Sequence, residues 1–240
     1  MKKVAILFLV FFVFACQKEK STADSPTEAY KMLYRAVKSK NPEEIKKWLS
    51  NGTLMLAEAK ANMEKSSVEK VIKNGFTETT FSAAMPEIRD ERISGDFGAV
   101  EVWNERRRLW EDLPFVKEAE VSFEFVGDDR AKVTETAKAI QGMEVIEEAN
   151  KVYGRKRALF SEAEEIAKKL LDAGATAKVD NTSWRLAVGE IFSGVYKSPG
   201  KPRSLIEREA ANMASQSMPP QANVNVNSAN VNKAEKKVAR

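Results

Sequence analysis

Residues 87–104 read EIRDERISGDFGAVEVWN and predict a β-hairpin. Gly95-Asp96 is the turn, and it separates two runs that have the alternation of strands. In the second run two valines define one face, and Ala99, Glu101 and Trp103 define the other. Helical periodicity precedes this hairpin and strand alternation follows it. This order predicts an α+β domain in which N-terminal helices pack against an antiparallel sheet.

Three helical segments precede the hairpin. The first begins at Ser25-Pro26-Thr27-Glu28, where serine is the N-cap, proline takes the first helical position and glutamate closes a capping box. Asn41-Pro42-Glu43-Glu44 repeats this arrangement before a shorter second helix. The third segment runs from Thr53 to Asn74, and a break is expected near Ser66.

Two further strands are expected after the hairpin. Residues 106–117 form the first of them, and residues 183–196 form the last strong strand of the chain. In the last strand Trp184 and Leu186 lie on one face, whereas Arg185 lies on the other. The sheet is therefore completed by a strand close to the end of the domain.

Four motifs in these elements carry a family resemblance. They are Ser25-Pro26-x-Glu28-Ala29 with Tyr30 and Tyr34, Asn41-Pro42-Glu43-Glu44 before Trp48-Leu49, Gly95-Asp96 before Ala99-Val100-Glu101-Val102, and Trp184-Arg185-Leu186. Together they resemble the nuclear transport factor 2-like lipoproteins of bacteria, which are related in fold to ketosteroid isomerase-like domains. The resemblance covers roughly residues 25–118 and 182–197. It implies a curved antiparallel sheet that wraps the N-terminal helices into a cone with an apolar pocket.

The chain departs from this family pattern at residues 119–182, which stand where the family has a tight turn. Residues 132–140 fit either a returning strand or a helix. Residues 143–173 have an amphipathic helical pattern, and Ser161 with Glu164 forms a capping box there. Either the sheet is enlarged or a helical hairpin is inserted. The amphipathic pattern favours a helical insertion before the last strand, within a domain that covers residues 25–204.

The N-terminus has the features of an export signal. Lys2 and Lys3 precede an uninterrupted run of twelve apolar residues, 4–15, and Cys16 follows this run directly. As a helix this run would be about 18 Å long, well short of the roughly 30 Å core of a bilayer. It resembles the type II signal peptide of bacterial lipoproteins, in which residues 1–15 are removed and Cys16 becomes lipidated. Secretory cleavage after Ala15 is the alternative, but it would leave an unpaired thiol at the new terminus.

Lipidation implies a location. Residues 16–24 then form the lipidated cysteine and a short polar tether that keeps the domain close to the membrane. By analogy with enteric sorting, Gln17 favours the outer membrane, facing the periplasm. The expected partner of Cys16 is thus the membrane of a bacterial cell envelope.

Composition excludes several classes of protein. The 240-residue chain has no His and one Cys, so Cys/His zinc sites and His-dependent catalytic triads are not available. The formal net charge of +4 lies entirely in residues 1–16 and 205–240, and the central body is neutral. We therefore expect no nucleic-acid partner, because such binding needs a basic face.

The last segment, residues 205–240, is expected to be a low-complexity and disordered tail. Residues 205–216 favour a short helix, which Pro219-Pro220 stops. Residues 223–232 consist almost entirely of valine and asparagine, with too little apolar content to pack.

Aromatic residues are the candidates for a ligand pocket. They are Tyr30, Tyr34, Trp48, Trp103 and Trp184. The alternative is that these side chains form an ordinary core. A catalytic pocket would pair a tyrosine hydroxyl with a carboxylate such as Glu101 or Glu190. No spacing in the sequence joins these groups, so no catalytic residue is assigned and no cofactor or metal is expected.

The sequence as a whole favours a membrane-anchored cell-envelope lipoprotein. We expect it to be non-enzymatic and to bind a small apolar ligand or a protein partner. One alternative is an isomerase- or dehydratase-like enzyme that uses a pocket carboxylate and a tyrosine. Another is an envelope assembly or scaffold protein.

Overall fold

The computed structural model describes residues 21–75 and 78–217. The predicted signal peptide, Cys16 and residues 17–20 of the predicted tether lie outside the described residues, as do residues 218–240 of the predicted tail. The chain divides into two units between residues 202 and 203. In the described part of the chain, no helix has both the length and the apolar character needed to cross a bilayer.

The first unit is built from helices that precede an antiparallel sheet and helices that interrupt it. In chain order its elements are α1 (Pro26–Ser39), α2 (Pro42–Lys47), α3 (Asn51–Met63), α4 (Val68–Asn74), a 3₁₀ helix (Glu78–Phe81), β1 (Ile88–Ser94), β2 (Phe97–Asn104), β3 (Leu109–Val126), α5 (Ala131–Ala139), β4 (Glu144–Glu147), β5 (Lys151–Leu159), α6 (Phe160–Ala173), β6 (Thr176–Leu186) and α7 (Val188–Phe192). The predicted α+β class with an antiparallel sheet is confirmed.

The N-terminal helices begin at side-chain caps. The Oγ of Ser25 accepts from the N–H of Glu28 at 3.2 Å, as the sequence predicts. The Glu28 carboxylate accepts from the N–H of Asp24 at 2.8 Å, one residue before the position expected in a capping box. The other caps are Asn41 for α2, Ser50 for α3 and Ser67 for α4. The predicted third helix is thus two helices, separated close to the expected break.

Strand β3 organises the sheet because three strands pair with it. Its residues 109–116 pair with β2, residues 118–126 pair with β5, and residues 115–124 pair with β6. Residues 118 and 120–124 therefore have a partner on both sides, which places β5 and β6 on opposite edges of β3. Strands β1 and β4 pair with β2 and β5 respectively. The predicted β1–β2 hairpin is confirmed.

Two apolar clusters form the core of this unit. The first joins α1–α4 to the sheet, and its largest members include Tyr30, Leu33, Trp48, Phe115, Trp184 and Leu186. The second joins α5 and α6 to the other part of the sheet, and its members include Val121, Phe123, Val133, Val152, Ile166 and Leu170. The long strand β3 contributes to both clusters and links them.

Within the predicted insertion at residues 119–182, the helical pattern expected over residues 143–173 is wrong in its first half. Residues 144–147 and 151–159 are strands β4 and β5, and the helical part is restricted to α5 and α6. A side chain at Gly154 would meet the carbonyl oxygen of Glu144 at 2.0 Å, so this glycine permits close strand pairing. The sheet is enlarged and the two helices cover the enlargement.

The predicted cap of α6 also differs. Ser161 lies inside the helix, and its N–H donates to Oδ2 of Asp96 at 2.8 Å. Asp96 belongs to the β1–β2 turn, 65 positions earlier in the chain. A distant carboxylate thus replaces the local capping box.

The last predicted strand, residues 183–196, ends at Leu186 and is followed by helix α7. A side chain at Gly189 would lie 2.0 Å from the carbonyl oxygen of Gly52, so α7 packs directly on the start of α3. Beyond α7, the hydroxyl of Tyr196 donates to the carbonyl of Gly98 at 2.7 Å. Residues 187–196 do not continue the predicted strand. They contact α3 and β2 individually instead of joining the sheet.

The described part of the second unit is helix α8 (Arg203–Ser217). It begins two residues before the short helix expected at 205–216. The Nε of Arg203 lies 2.8 Å from a carboxylate oxygen of Glu207, one turn later in the same helix.

Candidate functional site

A cavity of about 1010 Å³ lies between the end of α4, the 3₁₀ helix with the loop that follows it, and the end of β2. Its described lining combines apolar side chains with polar ones, and the polar side chains come from the end of α4, the 3₁₀ helix, the loop before β1 and the end of β2 with the turn that follows. The lining residues include Thr79, Phe81, Ala84, Met85, Pro86, Trp103, Asn104 and Arg106. We call this space the Trp103 cavity.

Helix α1 holds the loop that forms one wall of the cavity. The hydroxyl of Tyr34 donates to the carbonyl of Ser82 at 2.9 Å, and the Nζ of Lys38 donates to the carbonyl of Phe81 at 3.2 Å. The hydroxyl of Ser82 lies 2.8 Å from the carbonyls of both Thr79 and Ala84. The wall is therefore fixed to the helical layer by side chains from two successive turns of α1.

The opposite wall contains Trp103. Its ring meets that of Trp110 edge-on, with centroids 5.3 Å apart and an angle of 63° between the planes. Its indole N–H donates to Oε2 of Glu105 at 2.7 Å. Both contacts fix the orientation of the indole ring.

A buried ion pair supports this wall. The guanidinium of Arg89 lies over the ring of Trp110, 4.1 Å from its centroid. The Nε of Arg89 donates to Oε2 of Glu101 at 2.7 Å, and the Glu101 side chain is fully buried. Glu101, which interrupts an apolar strand in the sequence, thus positions the arginine that packs on the tryptophan pair.

The polar groups near the cavity are themselves bonded. The side-chain N–H of Asn104 donates to Glu111 at 2.8 Å, and its oxygen accepts from the N–H of Arg107 at 3.0 Å. At the surface, Arg106 lies 3.5 Å from the carboxylate of Glu78. The result is a cavity of apolar and polar side chains with a bonded polar border.

The five predicted pocket residues occupy different places. Trp103 lines the cavity and Tyr34 holds its loop. Tyr30 is fully buried beside Thr79, and burial raises the pKa of its hydroxyl above the usual range. Trp48 and Trp184 pack inside the first core cluster. Cys16, the predicted lipidation site, lies outside the described residues.

A second site forms at the start of α3, where two buried carboxylates meet the helix N-terminus. Oε1 of Glu118 accepts from the N–H of Asn51 at 2.9 Å. Oε1 of Glu190 accepts from the N–H of Gly52 at 3.0 Å, and its Oε2 accepts from the hydroxyl of Ser50 at 2.6 Å. The free N–H groups of a helix terminus and its positive dipole end favour such carboxylates.

Arg185 is the buried cation of this site, and only 5% of it is exposed. Its Nη1 lies 3.8 Å from Oε2 of Glu118, a distance that allows charge attraction but is too long for a hydrogen bond. Its N–H groups donate instead to backbone carbonyls, including those of Lys47 and Asn181. Burial lowers the pKa of Arg185 to about 10, so it remains charged at neutral pH.

Burial also acts on Glu118, of which 3% is exposed. Loss of solvation raises the pKa of its carboxyl to about 7, and the Asn51 N–H and the charges of Arg185 and Arg157 offset this only in part. The carboxyl therefore changes between its neutral and its ionised form near neutral pH.

These carboxylates line a cleft of about 720 Å³ between the start of α3, the end of α7 and strand β5. We call it the Glu118 cleft. Its lining residues include Asn51, Gly52, Leu54, Met55, Glu118, Glu120, Glu144, Arg155, Lys156, Arg157, Leu159, Glu162, Glu190 and Val195.

Sequence reasoning did not include Glu118 among the candidate site residues. It was part of a strand end, and its partners Asn51 and Arg185 lie 67 positions away on either side. The enzymatic alternative would need a contact between Tyr30 or Tyr34 and Glu101 or Glu190, and the described hydrogen bonds do not include one. The hydroxyl of Tyr34 meets a backbone carbonyl, whereas Glu190 bonds to the start of α3. The only available signal was a glutamate within an apolar strand pattern.

Among residues 21–75 and 78–217, no group of three or more His, Cys, Asp or Glu side chains is arranged to hold a metal ion. Comparison with protein-family models, with curated proteins and with solved structures finds no match for the chain.

Proposed function

We propose that this protein is a lipid-anchored, non-enzymatic lipoprotein of the bacterial cell envelope that binds a small, mainly apolar ligand in the Trp103 cavity. The cavity itself is the observation that carries the proposal. Its volume of about 1010 Å³ and the apolar part of its lining, which includes Phe81, Met85 and Trp103, are compatible with a site that holds a small molecule. The ring pair of Trp103 and Trp110 gives such a ligand a rigid aromatic wall.

The fold relationship is part of the same proposal. Helices α1–α4 cover the sheet formed by β1, β2 and β3, an arrangement compatible with the cone of nuclear transport factor 2-like domains. The Trp103 cavity would then correspond to the apolar pocket that this resemblance implies. A chain anchored through Cys16 would present the cavity close to the membrane surface, in the periplasm at the outer membrane.

The test is native mass spectrometry of the full chain purified from bacterial membranes. Ala84 lines the Trp103 cavity, so Ala84→Trp should fill part of it. Met63→Trp is the matched control, because Met63 is 85% exposed on α3 and lies away from the described lining. We expect the wild type and the control to carry the same small-molecule adduct and Ala84→Trp to lose it. The proposal is contradicted if the wild type carries no adduct, or if Ala84→Trp keeps it.

A further inference from the structure

The neutral sum of the central body conceals an uneven distribution of charge. Residues 21–75, which include helices α1–α4, contain ten lysines and arginines against seven aspartates and glutamates. Residues 78–202, which include the sheet and helices α5–α7, contain nineteen basic residues against 24 acidic ones. The layer of N-terminal helices is therefore basic, whereas the rest of the first unit is acidic.

Most basic side chains of the helical layer have no carboxylate partner. Lys46, Lys47 and Lys60 form ion pairs with glutamates of the same layer. The other seven basic side chains of residues 21–75 form no ion pair with any residue that the structure describes. Their charge is therefore not neutralised locally, and it is available to attract an anionic partner.

Helix α1 presents three of these seven cations on one face. Lys31, Arg35 and Lys38 are exposed and follow the spacing i, i+4 and i+7. The opposite face of the helix buries Ala29 and Leu33 in the first core cluster. We call the exposed stripe of three cations the basic face of α1.

The chain that leads from the predicted lipid anchor enters the domain beside this face. Ser21, the first described residue, lines a small cavity together with Arg35. Two residues later, Ala23 is bonded to strand β6. Its N–H donates to Oγ of Ser183 at 2.9 Å, and its carbonyl accepts from the N–H of Trp184 at 3.1 Å. The chain therefore enters the domain at a fixed point next to α1.

The length of the tether limits how far this face can lie from the membrane. Five residue steps separate Cys16 from Ser21, and they span at most about 18 Å when fully extended. A lipidated Cys16 lies at the membrane surface, so Ser21 stays within this distance of the headgroups. Charge attraction acts over about 8 Å at physiological salt, so the tether allows the neighbouring basic face to come within its range.

We propose that the basic face of α1 docks on the anionic phospholipid headgroups of the membrane that holds the anchor. The same membrane surface repels the acidic part of the unit, so both charges turn the domain in the same direction. Lys38 also holds the loop of the Trp103 cavity, so docking places that wall of the cavity next to the headgroups. The inference rests on the proposed lipid anchor at Cys16 but does not depend on a ligand in the cavity.

Energy transfer from the domain to labelled lipids tests this orientation. The protein is purified from bacterial membranes and reconstituted in nanodiscs that contain a headgroup-labelled acceptor lipid. The sulfur of Cys16, the only cysteine of the chain, carries the lipid, so an introduced cysteine is the single free thiol for a neutral fluorophore. Ser39→Cys gives an α1 reporter beside Ser21 and Arg35. Ala139→Cys gives an α5 reporter at an exposed position of the other half of the unit.

The comparison is between phosphatidylcholine discs and discs in which part of this lipid is replaced by phosphatidylglycerol. We expect the anionic lipid to raise energy transfer from the α1 reporter about twofold and to lower it from the α5 reporter, because docking turns the domain about its tether. High salt should remove both changes, since it shortens the range of charge attraction to a few ångströms. Equal transfer in both kinds of disc, or a gain at the α5 reporter with a loss at the α1 reporter, would overturn the proposal.

Charge reversal tests which face is responsible. Lys31→Glu/Arg35→Glu should remove the response of the α1 reporter to phosphatidylglycerol. Lys168→Glu/Lys169→Glu is the matched control and should keep the response, because it makes the same change of charge at two exposed lysines of α6. An unchanged response in the first variant, or an equal loss in both, would refute the assignment.

Retention in the discs distinguishes failure of this proposal from failure of the lipid anchor. A protein that elutes with the discs at high salt but does not respond to phosphatidylglycerol is anchored and does not dock, which contradicts the docking proposal alone. A protein that does not elute with the discs contradicts the anchor and, with it, the docking.

Discussion

Glu118→Gln should change how the stability of this protein depends on pH. A carboxyl whose pKa is raised by folding binds its proton more tightly in the native state than in the unfolded chain. Between the unfolded and folded values the native state therefore holds more protons, and the free energy of unfolding falls as pH rises. For Glu118 this window extends from 4.5 to about 7.

The size of the effect follows from the same values. A rise from 4.5 to about 7 corresponds to about 3 kcal/mol of stability that is present below the window and lost above it. Between pH 5 and pH 8 the loss should amount to about 2 to 3 kcal/mol. Glutamine cannot titrate, so the variant should lack this component. The variant loses a counter-charge for Arg185 only above the folded pKa, where the wild-type carboxyl is ionised.

The assay is urea unfolding of the full chain at both pH values, followed by tryptophan fluorescence. The measured quantity is the difference in unfolding free energy between pH 5 and pH 8, compared between the wild type and Glu118→Gln. Glu144→Gln is the exposed control from the same cleft and should behave like the wild type. If Glu118→Gln shows the same pH dependence as the wild type, the buried carboxyl is not the source and the reasoning fails.

Three further outcomes are expected. Leu170→Ala should lower the unfolding free energy by about 2 to 5 kcal/mol, because Leu170 is fully buried in the second cluster. Leu171→Ala should have little effect, because Leu171 is 53% exposed. Equal effects of the two variants in urea unfolding would contradict the core assignment. Arg89→Ala should lower the stability of the protein by about 3 to 5 kcal/mol, because it removes a partner of the buried Glu101. The double variant Arg89→Ala/Glu101→Gln should recover part of this stability in thermal unfolding. No recovery would argue against a stabilising ion pair. Cys16→Ala should abolish metabolic labelling with a palmitate analogue and release the protein from the membrane fraction, and continued labelling would disprove the lipid anchor.

Local signals predicted the elements whose determinants lie close together in the chain. Ser25 and its following proline define the start of α1, and Gly95-Asp96 defines the β1–β2 hairpin. Capping and turn chemistry involve residues only a few positions apart, so one stretch of sequence contains the whole cause. These elements needed no knowledge of the rest of the molecule.

The conformations of strand β5 and helix α7 depend on contacts with residues that are distant in the chain. The buried positions of β5 fit both a strand period and a helical period, because the segment is short. These positions are Val152, Gly154 and Ala158. Their strand conformation follows from pairing with β3 and β4. In α7, Glu190 continues the alternation of a strand, but its carboxylate bonds to the start of α3, 138 positions earlier.

The same distinction applies to the sites. Trp103 was one of five aromatic candidates, proposed because concave apolar sites are usually lined by such side chains, and it lines the Trp103 cavity. The other predicted aromatics are core or supporting residues, because burial depends on which helix covers them. Glu118 became a candidate only when α3, β3 and β6 were brought together.

The proposal that the protein binds a small apolar ligand is tested most directly by a crystal structure of the protein purified from its own membrane. We predict electron density for a small, mainly apolar molecule in the Trp103 cavity, in contact with Trp103 and with Phe81 or Met85. A cavity that contains only ordered solvent, or that is closed by the protein's own side chains, would contradict the proposal.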